Sequence, residues 1–240
     1  MENVFLIHGW NYTNYSKYGC KDAWSNRNDF IIELSKYFNV IKLNLPGFCG
    51  EPEPPKDWNL EDYADFFEQF ILKSRIKPDY VLGYSFGGAV AIKWKLNYHN
   101  NSKIILVSPA ITRAYKERKE TKYLTIGKKL VPLFISKYLR HIYLKFIIKN
   151  SFYLQGTKFL RNSYLNIVKI DLADELIKIP NDKILLIFGE KDSATPPQVF
   201  KSRIGKGKVL DNLHIIEGGG HDIATTNYEQ IVEIIKCFAT

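Results

Sequence analysis

The chain has 240 residues, 45% of them hydrophobic, and a formal net charge of +9 at pH 7. This length suits one α/β domain with an insertion, and the apolar content is ordinary for a globular chain. No segment approaches the roughly 18 consecutive apolar residues that a membrane-spanning helix needs. The first residues lack the basic region and apolar core of a signal peptide, so a cytoplasmic location is expected.

Apolar runs alternate with segments of helical periodicity along the chain. Strands are predicted at residues 3–8, 39–45, 79–84, 103–108, 183–189 and 208–216, and helices at 22–37, 60–73, 86–98, 196–203 and 222–238. Strands separated by helical segments predict an α/β fold with a mainly parallel sheet flanked by helices. Because ligands bind at the carboxyl ends of the strands in such sheets, residues that follow predicted strands are candidates for the site.

Residues 111–180 lie between the fourth and fifth predicted strands and show helical periodicity. They are predicted to form a helical lid, or cap, inserted into a core made of residues 1–110 and 181–240. Residues 112–180 hold 15 Lys and Arg against 5 Asp and Glu, whereas the rest of the chain holds 19 against 20. The positive excess therefore belongs to the insertion.

The stretch Lys128–Lys149 carries apolar and aromatic residues at helical spacing with lysines between them. The favoured interpretation is that the stretch forms lid helices whose apolar faces cover the site. A basic amphipathic helix lying on an anionic membrane is the second interpretation. Nucleic-acid contact is the third, and no nucleic-acid partner is expected because no known binding module accompanies the charge.

The most informative motif is Gly83-Tyr-Ser-Phe-Gly87, which joins a predicted strand to a predicted helix. Such a turn forces its central residue, Ser85, into a strained conformation that exposes the hydroxyl. Glycines are needed two residues to either side because a Cβ there would collide with the neighbouring chain. The helix N-terminus also favours negative charge. A glycine-rich turn can hold a serine by chance, so the assignment of Ser85 as a nucleophile depends on its partners.

A serine nucleophile needs a base, and the base needs a group that orients it. His221 follows three glycines before the last predicted helix and is the predicted base, whereas the histidines at positions 8, 99, 141 and 214 are assigned structural roles. Asp192 follows the predicted strand 183–189 and is predicted to orient His221, with Glu190 as its competitor. Asp222 is expected only to cap the last helix or tune its loop.

Attack on a carbonyl group also requires donors for the oxyanion. The predicted donors are the backbone N–H of Phe86, which follows the nucleophile, and that of Trp10, which follows the first strand. Gly9 lets the backbone turn into the site, and His8 is expected to brace this loop through hydrogen bonds. Gly9 and Tyr84 are predicted to contact the substrate.

Taken together, these residues resemble the α/β-hydrolase superfamily, in particular its single-domain serine hydrolase branch with a helical lid after the sixth strand. The resemblance covers the chain outside roughly residues 111–180. Its pieces occur in the family's order: His8-Gly9-Trp10, Leu45-Pro46-Gly47-Phe48, Gly83–Gly88, Phe188–Asp192 and Gly219-Gly220-His221. It implies a catalytic triad of Ser85, Asp192 and His221, with an oxyanion hole at Trp10 and Phe86.

The resemblance further implies an enzyme that cleaves carboxylic esters or related small acyl substrates through an acyl-enzyme, without a cofactor or a metal. A carbon–carbon bond hydrolase, a thioesterase, an acyltransferase and a non-catalytic ligand-binding protein of the same fold remain alternatives. Cys20, Cys49 and Cys237 form no C-x-x-C pair and are expected to be free thiols. The sequence determines neither the substrate nor the oligomeric state.

Overall fold

A computed structural model describes residues 1–98, 101–112, 151–204 and 211–240. Within these ranges six strands form one sheet: β1 (Asn3–Ile7), β2 (Asn39–Leu43), β3 (Tyr80–Tyr84), β4 (Lys103–Val107), β5 (Ile184–Gly189) and β6 (Leu213–Ile216). Their order is β2-β1-β3-β4-β5-β6, and every neighbouring pair is parallel. The predicted α/β fold with a mainly parallel sheet is confirmed.

The same ranges contain α-helices that connect and flank the strands. They are α1 (Asn28–Ser35), α2 (Leu60–Ser74), α3 (Phe86–Tyr98), α4 (Ser151–Leu154), α5 (Lys158–Ile167), α6 (Ala173–Leu176), α7 (Pro197–Ile204), α8 (Ile223–Thr226) and α9 (Tyr228–Ala239). Short 3-10 turns lie at Tyr12–Asn14, Ser16–Tyr18, Ser25–Arg27 and Asn181–Lys183.

Local chemistry explains where α2 begins and ends. Its N-terminus is a capping box, in which the Asn59 side chain accepts the Asp62 N–H and the Asp62 carboxylate accepts the Asn59 N–H. This exchange satisfies two of the backbone donors that a helix start leaves unpaired. The helix ends where Arg75 adopts a left-handed conformation with φ of 57°.

Most predicted elements match the observed ones to within two residues, and three differ more. The helix predicted at 22–37 begins only at Asn28, because the Asp22 carboxylate accepts the Trp24 N–H and holds a turn ahead of it. The helix predicted at 222–238 divides into α8 and α9 at Asn227, whose φ of −132° interrupts the helix. The strand predicted at 208–216 begins at Leu213, and residues 205–210 lie outside the described ranges.

The sheet is buried on both faces, as expected for parallel strands covered by helices. Successive side chains of a strand point to opposite faces. Phe5 and Ile7 of β1 accordingly pack in one cluster with side chains of α2 and α3. Val4 and Leu6 pack in a second cluster with side chains of α1 and α9. The two layers cover the two faces of the sheet, and all carboxyl ends of the strands meet at one edge.

A disulfide joins the loop after β1 to the loop after β2, through Cys20 and Cys49. The parallel pairing of these strands brings both loops to the same edge of the sheet. Cys237 is free and exposed. The expectation of three free thiols is therefore wrong. The cytoplasmic location stays a prediction, and the cysteines no longer support it.

Residues 151–180 of the predicted lid hold helices α4, α5 and α6. Leu160 and Ile167 of α5 are buried in the same cluster as Phe5 of the sheet. Residues 113–150, with the stretch Lys128–Lys149, lie outside the described ranges, so the boundaries of the lid stay predictions. In the part of the chain that the structure describes, no helix combines the length and apolar character required to cross a membrane.

Candidate active site

The turn between β3 and α3 holds Ser85 in a left-handed conformation with φ of 52°. The adjacent glycines have no room for a side chain. A Cβ on Gly87 would overlap the carbonyl oxygen of Ile7, and one on Gly83 would overlap the carbonyl oxygen of Gly87. Because these neighbours are backbone atoms that cannot move aside, glycine is required at both positions. The turn therefore has the strained geometry that the sequence predicts.

Three side chains that are distant in the sequence form one hydrogen-bonded line. Ser85 Oγ lies 3.1 Å from His221 Nε2, and His221 Nδ1 lies 2.8 Å from Asp192 Oδ2. An ionised carboxylate can only accept, so Nδ1 carries the proton and donates it to Asp192. Nε2 is then free to accept the Ser85 hydroxyl. The residues predicted as a triad are thus brought together after the ends of β3, β5 and β6.

Asp192 is fully buried at its side chain and has several donors. The N–H groups of Ala194 and Thr195 each donate to Oδ1 at 2.8 Å, and the Thr195 hydroxyl donates to Oδ2 at 2.7 Å. Burial alone would raise the pKa of Asp192. The hydrogen bonds from His221 and Thr195 outweigh it and hold that pKa at about 2. The carboxylate is therefore ionised wherever the imidazole can act as a base.

Glu190, the predicted competitor of Asp192, and Asp222 have other partners. Glu190 accepts the Gly218 N–H at 2.9 Å, on the loop that carries His221. Asp222 accepts Arg27 Nη2 at 2.6 Å and makes no side-chain cap to α8. Asp192 is thus the carboxylate that contacts the imidazole. Within the described ranges, His, Cys, Asp and Glu side chains form no group of three that could hold a metal ion.

The predicted oxyanion residues line the same cavity as Ser85. The cavity has a volume of about 410 Å³, and Gly9, Trp10 and Phe86 are in its wall. Among the residues that the structure describes, none accepts a hydrogen bond from the Trp10 or the Phe86 backbone N–H. A Cβ on Gly9 would lie 3.0 Å from the Tyr84 ring and 3.1 Å from the Ser85 Cβ. The loop can approach Ser85 this closely because position 9 is glycine.

His8 braces this loop, as the sequence predicts. Its Nε2 accepts the Leu45 N–H at 2.9 Å, so Nδ1 carries the proton and donates it to the Gly9 carbonyl at 2.8 Å. Burial is the main cause that lowers the pKa of His8 to about 4. The ring is consequently neutral near pH 7 and ties the loop after β1 to the loop after β2.

The side chain of Trp10 links this loop to α4. Its indole N–H donates to the Tyr15 hydroxyl at 2.8 Å, and that hydroxyl donates to the Phe152 carbonyl at 2.7 Å. Burial raises the pKa of Tyr15 above its ordinary value, so its phenol keeps the proton that it donates. The indole also packs edge-on against Phe48 and Phe86. The predicted oxyanion loop is therefore held from both the core and α4.

Tyr84, predicted to contact substrate, lines the cavity, but its hydroxyl has protein partners. It lies 3.2 Å from both the His221 carbonyl and Asp222 Oδ1. Burial raises the pKa of Tyr84, so the phenol is a neutral donor. The Tyr84 hydroxyl thus connects the residue before Ser85 to the loop that carries His221, and a contact with substrate stays a prediction.

Sequence reasoning missed two polar residues of the site. Thr195 follows Asp192 by three residues, and Asp-x-x-Thr is a spacing at which a hydroxyl can bond the carboxylate, so this signal was present. Arg27 lines the cavity, but its partner Asp222 lies 195 positions further along the chain. No local pattern indicates such a contact.

Comparisons with known proteins agree with this architecture. A model of the alpha/beta hydrolase family matches residues 4–234. A putative esterase/lipase 2 from Mycoplasma pneumoniae is 22% identical over 238 residues, covering 91% of this chain and 82% of that protein. A putative 2-succinyl-6-hydroxy-2,4-cyclohexadiene-1-carboxylate synthase from Haemophilus influenzae is 30% identical over 129 residues, covering 51% of this chain and 47% of that protein. The match thus spans about half of the synthase.

Solved structures show the same fold. An esterase from Exiguobacterium antarcticum superposes with a TM-score of 0.67 at 20% identity, covering 100% of this chain and 92% of that one. The meta-cleavage product hydrolase CumD from Pseudomonas fluorescens superposes with a TM-score of 0.68 at 19% identity, covering 100% and 90%. With the family match over nearly the whole sequence, the chain belongs to the alpha/beta hydrolase family and is a hydrolase.

Proposed function

We propose that the chain is a serine hydrolase that cleaves carboxylic esters or related small acyl compounds. The observation that carries this proposal is the hydrogen-bonded line from Ser85 through His221 to Asp192. A hydroxyl, a neutral imidazole and an ionised carboxylate at these distances can activate the serine. The names of the Mycoplasma pneumoniae and Exiguobacterium antarcticum relatives support ester substrates.

The mechanism follows from the position of each group. Ser85 Oγ bonds to the substrate carbonyl carbon while its proton passes to His221 Nε2. The N–H groups of Trp10 and Phe86 stabilise the oxyanion, and the N-terminus of α3 adds a favourable dipole. The bond to the leaving alcohol then breaks, and the alcohol takes the proton from His221. Water then attacks the acyl carbon while its proton passes to His221 Nε2. His221 returns that proton to Ser85 Oγ as the bond between Oγ and the acyl carbon breaks, which releases the acid.

We also propose that residues 111–180 form a lid over this cavity. Phe152, Tyr164 and Ile167, which belong to α4 and α5, line the cavity together with Ser85. Their aromatic and aliphatic surfaces suit an apolar portion of a small acyl substrate. The lid would exclude water from the acyl-enzyme until the alcohol has left.

An activity-based probe tests the proposal before any substrate is known. A fluorophosphonate is expected to label the parent protein and not Ser85→Ala. Hydrolysis of p-nitrophenyl esters of increasing chain length should fall by about 10⁴-fold or more in kcat with this variant. Ser108→Ala is the matched control, because Ser108, like Ser85, is a serine that follows a strand and has a positive φ. Equal turnover by the parent and Ser85→Ala would exclude the mechanism.

A second candidate function is hydrolysis of a carbon–carbon bond with the same residues. The superposition with CumD, whose name is that of a meta-cleavage product hydrolase, favours it over thioester cleavage and acyl transfer. Turnover of vinylogous diketones without turnover of esters would replace the ester proposal. Saturable binding of a small molecule without probe labelling would instead indicate a ligand-binding protein.

A further inference from the structure

Tyr15 is a buried residue that joins two residues of the cavity wall. Trp10 and Phe152 are among the described residues that line the cavity, whereas Tyr15 is fully buried and is not. The Trp10 indole N–H donates to the Tyr15 hydroxyl at 2.8 Å, and this hydroxyl lies 2.7 Å from the Phe152 carbonyl oxygen. A single oxygen atom therefore bonds a residue of the loop after β1 and a residue of α4.

The chemistry of the three groups determines the direction of both hydrogen bonds. An indole can only donate, and a carbonyl can only accept. The Tyr15 hydroxyl must therefore accept from Trp10 and donate its own proton to Phe152. The Gly156 N–H donates to the Tyr153 carbonyl, so the Phe152 carbonyl at the end of α4 is available to Tyr15. Burial raises the pKa of Tyr15, and the phenol keeps the proton that this arrangement requires.

The backbone of Tyr15 is fixed to the loop after β2. Tyr15 forms an isolated antiparallel bridge with Phe48. The neighbouring Ser16 N–H donates to the Gly47 carbonyl at 3.0 Å. The Tyr15 ring also packs edge-on against the Phe48 ring, with 5.5 Å between the centroids. The Tyr15 hydroxyl is thus held at a defined place in the core.

The backbone of Trp10 has no comparable support. In residues 1–98, 101–112, 151–204 and 211–240, neither the N–H nor the carbonyl of Trp10 has a hydrogen-bond partner. The indole packs edge-on against Phe48 and Phe86, but such apolar contacts are not directional. Within these ranges the bond to Tyr15 is the one hydrogen bond that Trp10 makes. The position of the Trp10 peptide therefore depends on its side chain and on Tyr15.

We propose that Tyr15 is a positioning residue that holds the Trp10 backbone N–H in place for the oxyanion. This inference rests on the proposed serine hydrolase function, in which that N–H is a donor of the oxyanion hole. Such a donor must lie about 2.7–3.1 Å from the place that the oxyanion takes, so a small displacement weakens it. The negative charge develops only in the transition state. Tyr15 should therefore affect the chemical step and not the binding of substrate.

Steady-state kinetics with a p-nitrophenyl ester test the inference. Tyr15→Phe keeps the ring and removes both hydrogen bonds of the hydroxyl, so kcat should fall about 10- to 100-fold with KM within about twofold of the parent. Trp10→Phe keeps an aromatic ring and the peptide N–H but removes the indole donor, and its kcat should fall by a similar factor. Because both changes break the same bond, the double variant should lose no more than the weaker single variant.

Tyr18→Phe is the matched control. The Tyr18 hydroxyl belongs to the same loop and donates to Gln155 Oε1 at 2.6 Å, next to the end of α4. Among the described residues, this hydroxyl has no hydrogen bond to Trp10. Tyr18→Phe therefore loses a bond between the same two segments, and its kcat should stay within about twofold of the parent.

Binding of a trifluoromethyl ketone gives a reading that a purely structural role would not change. Ser85 Oγ adds to the carbonyl carbon of the ketone, the Ser85 proton passes to His221 Nε2, and the carbonyl oxygen becomes an oxyanion. The affinity for the ketone should fall in Tyr15→Phe and Trp10→Phe by about the same factor as kcat. The affinity for the corresponding alcohol, which cannot form this adduct, should not change.

Each remaining outcome decides the inference. A parental kcat in Tyr15→Phe, a fall shared by Tyr18→Phe, an effect confined to KM, or additive losses in the double variant would overturn it and leave the proposed function standing. A parent that neither hydrolyses esters nor binds the ketone through Ser85 would overturn both together. In a parent that binds the ketone but hydrolyses no ester, the ketone affinities decide. If Tyr15→Phe does not fold, Trp10→Phe decides by the same criteria.

Discussion

Acidification is expected to destabilise the protein through His8. This ring is 2% exposed and uses Nε2 to accept the Leu45 N–H, so it cannot take a second proton without losing that bond. Its pKa in the folded chain is about 4, well below the value of about 6.5 in an unfolded chain. Between these values the unfolded chain binds a proton that the folded chain does not. Stability therefore falls as the pH drops through this window.

The size of the effect follows from the two pKa values. A difference of about 2.5 units, at about 1.4 kcal/mol per unit, gives a total loss of about 3 kcal/mol. About 2 kcal/mol of this is lost between pH 6.5 and about pH 4.5. The folded pKa of Asp192, about 2, lies below its unfolded value of about 3.9. The stability that Asp192 contributes is therefore lost only below about pH 4, outside this window.

The assay is urea unfolding followed by tryptophan fluorescence at several pH values in this window. His8→Gln can keep a donor and an acceptor in the loop but has no titrating group. The free energy of unfolding of the parent should fall by about 2 kcal/mol more than that of the variant. His214→Gln, at an exposed position of β6, should follow the parent. If the parent and His8→Gln lose stability in parallel, the burial of a neutral His8 is refuted.

Three further substitutions test the surroundings of the nucleophile. Gly87→Ala places a Cβ against a backbone oxygen. It should lower the free energy of unfolding by about 3 kcal/mol, measured from a melting curve, and should abolish probe labelling, measured on a gel. Thr195→Val removes a hydrogen-bond donor from Asp192, so the pKa of that carboxyl should rise. We expect kcat to fall about tenfold with KM unchanged, whereas the control variant Thr195→Ser should behave as the parent. Cys20→Ser removes the disulfide to Cys49 and should lower the free energy of unfolding in urea by about 2–4 kcal/mol. A variant as stable as the parent would show that the two cysteines are not joined.

The elements that the sequence predicted well are those fixed by local patterns. The four inner strands β1, β3, β4 and β5 are buried apolar runs that can be identified without knowledge of their neighbours, because both faces of the sheet are covered there. The turn at Ser85 is equally local. Its glycines at positions 83 and 87 are dictated by backbone atoms of the turn and of β1, so spacing alone reveals them. Ser85, Asp192 and His221 follow β3, β5 and β6, so their order along the chain is the order of these strands.

The features that the sequence did not predict depend on contacts across the fold. Cys20 and Cys49 are 29 positions apart, and only the parallel pairing of β1 with β2 brings their loops together. Neither loop sequence indicates that β1 and β2 are neighbours in the sheet. The late start of α1 follows from the hydrogen bond of the Trp24 N–H to the Asp22 carboxylate, and the last helix divides where the Asn227 backbone leaves the helical conformation. Hydrophobic periodicity indicates neither of these local features.

The candidate site combines features fixed by local patterns with features that depend on contacts across the fold, and Arg27 belongs to the second kind. The positions of Ser85, His221 and Asp192 follow from short motifs at strand ends, whereas the partner of Asp222 beside His221 is an arginine that precedes α1. The hydrogen-bonded line and the contact of Arg27 with Asp222 can therefore be altered separately. A chain that kept Ser85, His221 and Asp192 but replaced Arg27 and Asp222 together would retain the hydrogen-bonded line.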